Sequence, residues 1–150
     1  MRAVIQRVTT ASVHIGGTLH SRIDRGLLVL LGVEQGDGAE DRDWLMGKVA
    51  QMRIFSDEQG KMNRNVAEAE GAILVVSQFT LHASTKKGNR PSFLRSADPA
   101  LAAPMVEECC ELLEEISGVP VKRGVFGADM QVSLCNDGPV TILIDSRDRQ

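Results

Sequence analysis

Two short segments place polar side chains where the surrounding sequence predicts apolar β-strand. Residues 77–81 (SQFTL) continue an apolar run without a break, so Gln78 and Thr80 enter an element that is otherwise predicted to be buried. Residues 136–142 (NDGPVTI) predict a Gly-Pro turn between two alternating strands, with the bond before Pro139 either cis or trans. These two segments are the first candidates for a functional site.

The first segment permits two interpretations. Alternation along a strand would put Gln78, Thr80 and His82 on one face. A hydroxyl beside an imidazole can act as a nucleophile with its general base, although no third residue that would orient the imidazole is evident. The alternative is a strand that leaves the core, with its last polar residues simply reaching solvent. Residues 136–142, taken alone, are also explained by an ordinary turn.

Other catalytic and metal-binding signatures are absent from the sequence. His14, His20 and His82 do not have the spacing of metal ligands, and no Cys lies at ligand spacing from a His. There is no GxSxG elbow and no Walker A loop. We therefore expect neither a metal nor a cofactor.

Charge and aromatic content argue against a general nucleic-acid binder. The net charge is −3, and aromatic residues make up 3% of the chain with no Tyr, so a stacking platform for single-stranded RNA is not predicted. Any contact with RNA must then depend on local basic patches. One candidate is the group Lys86, Lys87, Arg90 and Arg95, and Lys122 with Arg123 is another. Ordinary solvated loop charges are the alternative explanation.

The cysteines and the first residues indicate a cytoplasmic protein. Cys109, Cys110 and Cys135 are odd in number and lack CxxC spacing, which favours reduced thiols. The first seven residues include two arginines and lack the apolar core of a signal peptide. No apolar run approaches 18 residues, so no membrane span is predicted.

The pattern of apolar residues predicts a strand-rich α/β (α+β) fold in one domain, residues 1–150, with a polar tail at 146–150. Two helices are expected, one short helix around residues 45–52 and one from about 98 to 117 in which Pro104 either causes a kink or lies in the first turn. The predicted strands are 3–15, 19–23, 27–33, 53–55, 72–81, 121–125, 130–135 and 140–144. The approximate order is ββ-βα-βα-βββ. Two helices cover one sheet face, so a second sheet or a partner subunit must cover the other, giving a three-layer α/β/β sandwich.

Blocks of sequence along nearly the whole chain resemble the bacterial-type D-aminoacyl-tRNA deacylase family. SQFTL at 77–81 and NDGPVT at 136–141 are similar to the family's two signature motifs. The other matching blocks are QRV (6–8), LVLLGV (28–33), RIF (53–55), GKMN (60–63), RPSF (90–93) and GADMQV (127–132). The resemblance implies a homodimer that hydrolyses the ester joining a D-amino acid to the tRNA 3′ end and also removes glycine from mischarged tRNA.

The same resemblance implies roles for particular residues. Gly138 and Pro139 would form a Gly-cisPro element that reaches into the other subunit's active site and excludes L side chains, and Arg7 would hold it in place. Met130 would line the pocket for the terminal adenosine. The catalytic pocket would be lined by Ser77, Gln78, Phe79 and Thr80.

The resemblance also bears on the mechanism. Backbone N–H groups near Phe79 and Thr80 would stabilise the oxyanion, and the ribose 2′-hydroxyl of the tRNA would assist the reaction in place of a protein nucleophile. Two other functions remain open from the sequence. One is a non-catalytic module that binds RNA or protein, and the other is a D-amino acid esterase that does not require tRNA.

Overall fold

The helices and strands follow one another in a strand-rich order. The computed structural model describes all 150 residues. The elements are β1 (Arg2–Ile15), β2 (Thr18–Ile23), β3 (Gly26–Gly32), α1 (Ala39–Gln51), β4 (Phe55–Ser56), β5 (Met62–Arg64), β6 (Ala72–Ser77), a 3₁₀ turn (Phe79–His82), α2 (Pro99–Ser117), β7 (Val121–Arg123) and β8 (Gln131–Asp145). Neither helix is both long enough and apolar enough to cross a membrane.

Strand β1 organises a six-stranded sheet. Its first half pairs with β3 and its second half with β2, while β8 runs antiparallel along its other edge. Parallel pairing extends the sheet from β3 to β6 and then to β7. Strand β2 also contacts β6 and β7, so the sheet curls until it is nearly closed.

Two apolar cores lie on opposite faces of β3. Leu27, Val29 and Leu31 pack in the core under the helices, whereas Leu28 packs in a second core with Leu74 of β6. An apolar strand buried on both faces is typical of this position. The mixed α/β prediction is confirmed, and the curled sheet itself covers the face for which a second sheet or a partner was expected.

Helix α2 decides between the two positions left open for Pro104. It begins at Pro99, so Pro104 lies inside the helix and not in its first turn, and Asp98 makes no capping hydrogen bond with its side chain. Gly118 ends the helix with a φ of 68°, and its N–H donates to the Glu114 carbonyl. This left-handed C-terminal residue is where glycine is favoured.

Two predicted strands were wrong in extent. The strand predicted over 72–81 stops at Ser77, and the chain then forms the 3₁₀ turn. The short strand predicted at 53–55 is found at Phe55–Ser56, where it pairs with β5 in a separate two-stranded sheet. Strand β5 itself was not predicted.

The Gly-Pro turn predicted between two strands is also wrong, because the two strands are one. Both halves of β8 run antiparallel to β1, with Thr141 opposite Gln6 and Asn136 opposite Val8. Four residues, 137–140, therefore lie opposite the single residue Arg7. We call residues 137–140 the bulge, because the strand continues in the same direction after them.

The predicted polar tail packs against the body of the protein. Ser146 is buried, and its hydroxyl donates to the Asp41 carboxylate over 2.7 Å. The Arg149 guanidinium lies 4.7 Å from the centre of the Trp44 ring. These contacts attach the last residues to helix α1.

Candidate active site

A cavity of about 640 Å³ opens where β6 ends. Among the residues named from the sequence, it is lined by Ser77, Gln78, Phe79 and Met130. The remaining wall comes largely from residues 93–99 and 126–132. Its volume is in the range of pockets that bind small ligands.

The end of β6 places the polar residues at this cavity. Strand β6 pairs with β3 as far as Leu31 and Ser77, and the Gln78 N–H makes one more bond, to the Leu31 carbonyl over 2.8 Å. The chain then enters the turn Phe79–His82. Ligands commonly bind beyond the carboxyl ends of parallel strands, and this site has that position.

The turn separates Thr80 from His82. Thr80 is exposed, does not line the cavity, and accepts a hydrogen bond from the Gln78 side-chain amide over 2.6 Å. His82 is fully buried, its Nδ1 lies 3.8 Å from the Glu34 carboxylate, and burial lowers its pKa. The Thr80–His82 nucleophile–base interpretation was therefore wrong, because it required both side chains on one face of a strand.

Three of the four phenylalanines gather at the cavity. Phe79, Phe93 and Phe126 line it and are exposed, whereas Phe55 lies in the core. The rings of Phe79 and Phe93 meet edge to face, with centroids 5.1 Å apart. Sequence reasoning missed Phe126. The available signal was the scarcity of aromatic residues, since the chain has no Tyr and a single Trp.

Arg7 forms a second cluster with the bulge. Its Nε donates to the Asp137 carbonyl over 3.0 Å, and its Nη1 donates to the Ile54 carbonyl over 2.6 Å. The Asp137 carboxylate lies 3.4 Å from the same guanidinium. The Arg7 side chain is 12% exposed, so these are the contacts of a largely buried cation.

The residue that precedes the bulge also holds it in place. The Asn136 side chain accepts from the Val140 N–H over 3.0 Å and donates to the Thr141 hydroxyl over 3.0 Å. The Gly138–Pro139 bond is cis, and Gly138 has a φ of +134°. A Cβ on Gly138 would lie 2.8 Å from Val140 Cγ2 and 3.0 Å from Arg7 Nη2. Glycine is required by this geometry.

Apart from Thr80, the predicted site residues thus fall into two clusters within one chain. Ser77, Gln78, Phe79 and Met130 line the cavity, whereas Arg7, Gly138 and Pro139 do not. Gly138 and Pro139 are exposed at the surface. No cluster of three or more His, Cys, Asp or Glu side chains suited to a metal ion is present.

The long irregular segment after the turn contains a hairpin. Ser84 and Ser92 exchange two backbone hydrogen bonds of 2.8 and 2.9 Å. Between them, exposed Lys86, Lys87 and Arg90 carry three positive charges with no acidic residue. We call residues 84–92 the basic hairpin. Phe93, which lines the cavity, follows it directly.

One known protein family matches nearly the whole chain in sequence. Residues 4–145 match the model of the family described as D-Tyr-tRNA(Tyr) deacylase. The chain belongs to this family. The matched range contains the residues of both clusters, those that line the cavity and those around the bulge.

Named relatives agree over the full length of the chain. The D-aminoacyl-tRNA deacylases of Akkermansia muciniphila and Parabacteroides distasonis are 58% and 57% identical to it over 150 residues, covering all of each chain. The solved structure of a protein named "c-Myc DNA Unwinding Element Binding Protein" has a TM-score of 0.91 at 40% identity, covering 97% of this chain and 98% of its own. A probable eukaryotic D-amino acid tRNA deacylase shares the fold, with a TM-score of 0.78 at 17% identity over 95% and 97% of the two chains.

Proposed function

We propose that this protein is a D-aminoacyl-tRNA deacylase, which hydrolyses the ester between a D-amino acid and the 3′ end of tRNA. The products are the free D-amino acid and the tRNA, and we expect the reaction to occur in the cytoplasm. The observation that carries the proposal is the full-length match to named deacylases together with the cavity at the end of β6.

The cavity has suitable walls for the two parts of the substrate. Met130, Phe93 and Phe126 offer an apolar and aromatic surface for the adenine of the terminal nucleotide. The N–H groups of Phe79 and Thr80 open the 3₁₀ turn and have no acceptor within it. They are the proposed donors to the oxyanion, where each donor typically contributes about 10²–10³ in rate.

No protein nucleophile is needed in this mechanism. Thr80 has no base beside it, because the nearest histidine in sequence is buried. The aminoacyl ester is reactive, and the neighbouring 2′-hydroxyl of the ribose can assist the attack of water. The protein then contributes orientation and stabilisation of charge.

Selection for the D configuration is assigned to Gly138 and Pro139 acting across a homodimer. Their backbone carbonyls would occupy the space of an L side chain and accept from the substrate's amino group. Two observations support a role in the other subunit: Gly138 and Pro139 are exposed, and the bulge does not line the cavity of its own chain. Glycine has no side chain to exclude, so glycyl-tRNA is an expected second substrate.

A mixed dimer tests this arrangement. One chain carries Gly138→Ala and the other carries Phe79→Ala, and the mixed species is isolated with two affinity tags. If the bulge acts in the other subunit, one of the two sites is intact, and half of the wild-type D-selective activity is expected. If it acts within its own chain, both sites are damaged and the mixed dimer is no better than the two parent variants.

The basic hairpin is the proposed contact with phosphates of the acceptor stem. Removing Lys86, Lys87 and Arg90 together should raise the KM for D-aminoacyl-tRNA and reduce its salt dependence. Lys48 and Arg22, which lie on other elements, provide a control pair for lost positive charge. A KM and salt dependence equal to those of wild type would contradict the assignment.

Substrate comparison separates the proposal from its rivals. D-Tyr-tRNA should be cleaved far faster than D-Tyr methyl ester, because the terminal nucleotide occupies part of the site. Equal rates would favour an esterase that does not need tRNA. Absence of both activities would favour a module that binds RNA or protein without catalysis. The solved structure that is 40% identical is likewise named for binding, in its case to a DNA element.

A further inference from the structure

Residues 93–97 form one wall of the cavity and are fastened to the chain that follows β3. The Ala97 N–H donates to the Val33 carbonyl over 3.0 Å, and the Gln35 N–H donates to the Arg95 carbonyl over 2.9 Å. We call residues 93–97 the strap. Its contribution to the cavity includes Phe93, Ser96 and Ala97.

A buried ion pair fixes the strap at its centre. Glu34 is only 4% exposed, and its Oε1 accepts from Arg95 Nε over 2.7 Å, with Arg95 Nη2 2.6 Å away. The Arg95 side chain is half exposed, so the carboxylate is the buried partner. Removing the cation would leave a buried charge with weaker compensation.

The strap is bonded directly to the turn that carries the proposed oxyanion donors. The Ser96 hydroxyl donates to the Phe79 carbonyl over 2.9 Å, and the Phe79 and Phe93 rings are in contact. The second oxygen of Glu34 lies 3.6 Å from Arg147 Nη1 and 3.8 Å from Nδ1 of buried His82, the last residue of the turn. Glu34 is thus connected to the first residue of the turn through the strap and lies beside the last.

We propose that Glu34, Arg95 and Ser96 are positioning residues for the deacylation reaction. They hold the 79–82 turn at the distance from the ester that the oxyanion donors require. This inference rests on the proposed function, because it assigns the turn to catalysis. A misplacement of about 1 Å can cost about 10²-fold in rate, so loss of these contacts should act on the chemical step.

Single variants should separate positioning from binding. Ser96→Ala and Glu34→Gln are each expected to lower kcat on D-Tyr-tRNA about 10-fold or more while KM changes less than about 3-fold. Arg95→Lys should retain more activity than Arg95→Ala, because it keeps the charge but loses the two-nitrogen contact. Arg22→Lys, which changes an exposed arginine paired with Asp24, is the matched control and should be unaffected.

The double variant tests whether the residues act along one route. If Glu34 acts through Arg95 and Ser96, the combination of Glu34→Gln with Ser96→Ala should lose little more kcat than the worse single variant. Losses that multiply, losses confined to KM, or unchanged kcat in both single variants would each overturn the proposal. A merely structural role predicts lower thermal stability with kcat preserved well below the melting temperature.

Hydrogen exchange supplies a readout that does not depend on activity. The Leu81 and Ala83 N–H groups close the turn onto the Gln78 and Thr80 carbonyls. Their exchange should become at least several-fold faster in Glu34→Gln and in Ser96→Ala but not in Arg22→Lys. If wild type proves inactive on D-Tyr-tRNA, the proposed function fails, and unchanged exchange would independently refute the positioning role.

Discussion

Replacing Gly138 by Ala tests the proposal that the bulge excludes L-amino acids. The new Cβ would lie 2.8 Å from Val140 Cγ2, 3.1 Å from the Val140 backbone nitrogen and 3.0 Å from Arg7 Nη2. One of these neighbours is backbone and another is a guanidinium already held by two carbonyls. The alanine cannot be accommodated by moving a free side chain, so the bulge itself must shift.

The size of the effect follows from the backbone conformation. A non-glycine residue at a φ of +134° is strained by about 1–3 kcal/mol, to which the close contacts add. Displacement of the bulge relieves this strain and opens the space that an L side chain needs. Discrimination against the L ester should then fall, and a loss of about 1–3 kcal/mol in the difference between the two activation free energies corresponds to roughly 5- to 150-fold.

The assay compares kcat/KM for D-Tyr-tRNA and L-Tyr-tRNA in wild type and Gly138→Ala. Gly17→Ala is the matched control, because Gly17 also has a positive φ, +79°, but a Cβ there meets nothing within 4 Å. The control should lose stability without losing selectivity. A Gly138→Ala enzyme that retains full discrimination would refute the role of the bulge, and a Gly17→Ala enzyme that loses it would show a nonspecific effect.

Three further outcomes are expected. Burial lowers the pKa of His82 against the opposing influence of the Gly32 backbone and the Glu34 carboxylate, so just below the ordinary pKa the unfolded state binds a proton that the folded state does not. The free energy of unfolding should therefore fall as the pH drops below about 6.5, by up to about 1.4 kcal/mol per pH unit in this window. Asp41 and Asp145 are hydrogen-bonded carboxylates with lowered pKa values, so they change the free energy of unfolding only below about pH 4. Urea titrations at pH 7.5, 6.5 and 5.5 measure how the free energy of unfolding depends on pH, and His82→Gln should weaken this dependence. An unchanged pH dependence in that variant would show that His82 is not its cause. Burial raises the pKa of Cys109 to about 12 and that of Cys110 to about 11, so iodoacetamide at pH 8 should modify only exposed Cys135 in the folded protein. Mass spectrometry after brief labelling checks this, and modification of Cys109 at the rate of a free thiol would be inconsistent with its burial. Phe126→Ala should raise the KM for D-Tyr-tRNA about 10-fold by removing a stacking surface, whereas Leu94→Ala, 84% exposed and outside the cavity lining, should leave it unchanged.

The sequence was sufficient where local pattern and burial agree. The unbroken apolar run at 27–33 predicted a strand, and β3 lies buried between the two cores. The resemblance placed Ser77, Gln78, Phe79 and Thr80 in the catalytic pocket and Met130 in the adenosine pocket. All of these residues except Thr80 line the one cavity. Their catalytic roles stay predictions.

The sequence was insufficient where a distant contact decides the local structure. Phe79 and Leu81 continue the alternation of β6, yet the strand stops at Ser77, and the 3₁₀ turn that follows brings His82 into the core. The pattern of 136–142 is equally compatible with a hairpin turn and with a bulge. The choice depends on whether one strand continues on the opposite side, and β1 does.

Nothing in the sequence around Glu34 or Arg95 predicts that the two residues form a pair. The two residues are 61 positions apart in the chain and meet only because the strap returns to the end of β3. The side chains proposed to position the 79–82 turn are found only from the folded structure, whereas the motif at 77–81 is visible in the sequence.

The most direct test of the proposed function is deacylation of D-Tyr-tRNA and L-Tyr-tRNA by the wild-type protein, side by side under single-turnover conditions. We expect rapid loss of the D ester, while the L ester decays no faster than in buffer alone. Equal cleavage of both esters would contradict the assignment of the bulge as the chiral filter. No cleavage of either would contradict the deacylase function itself.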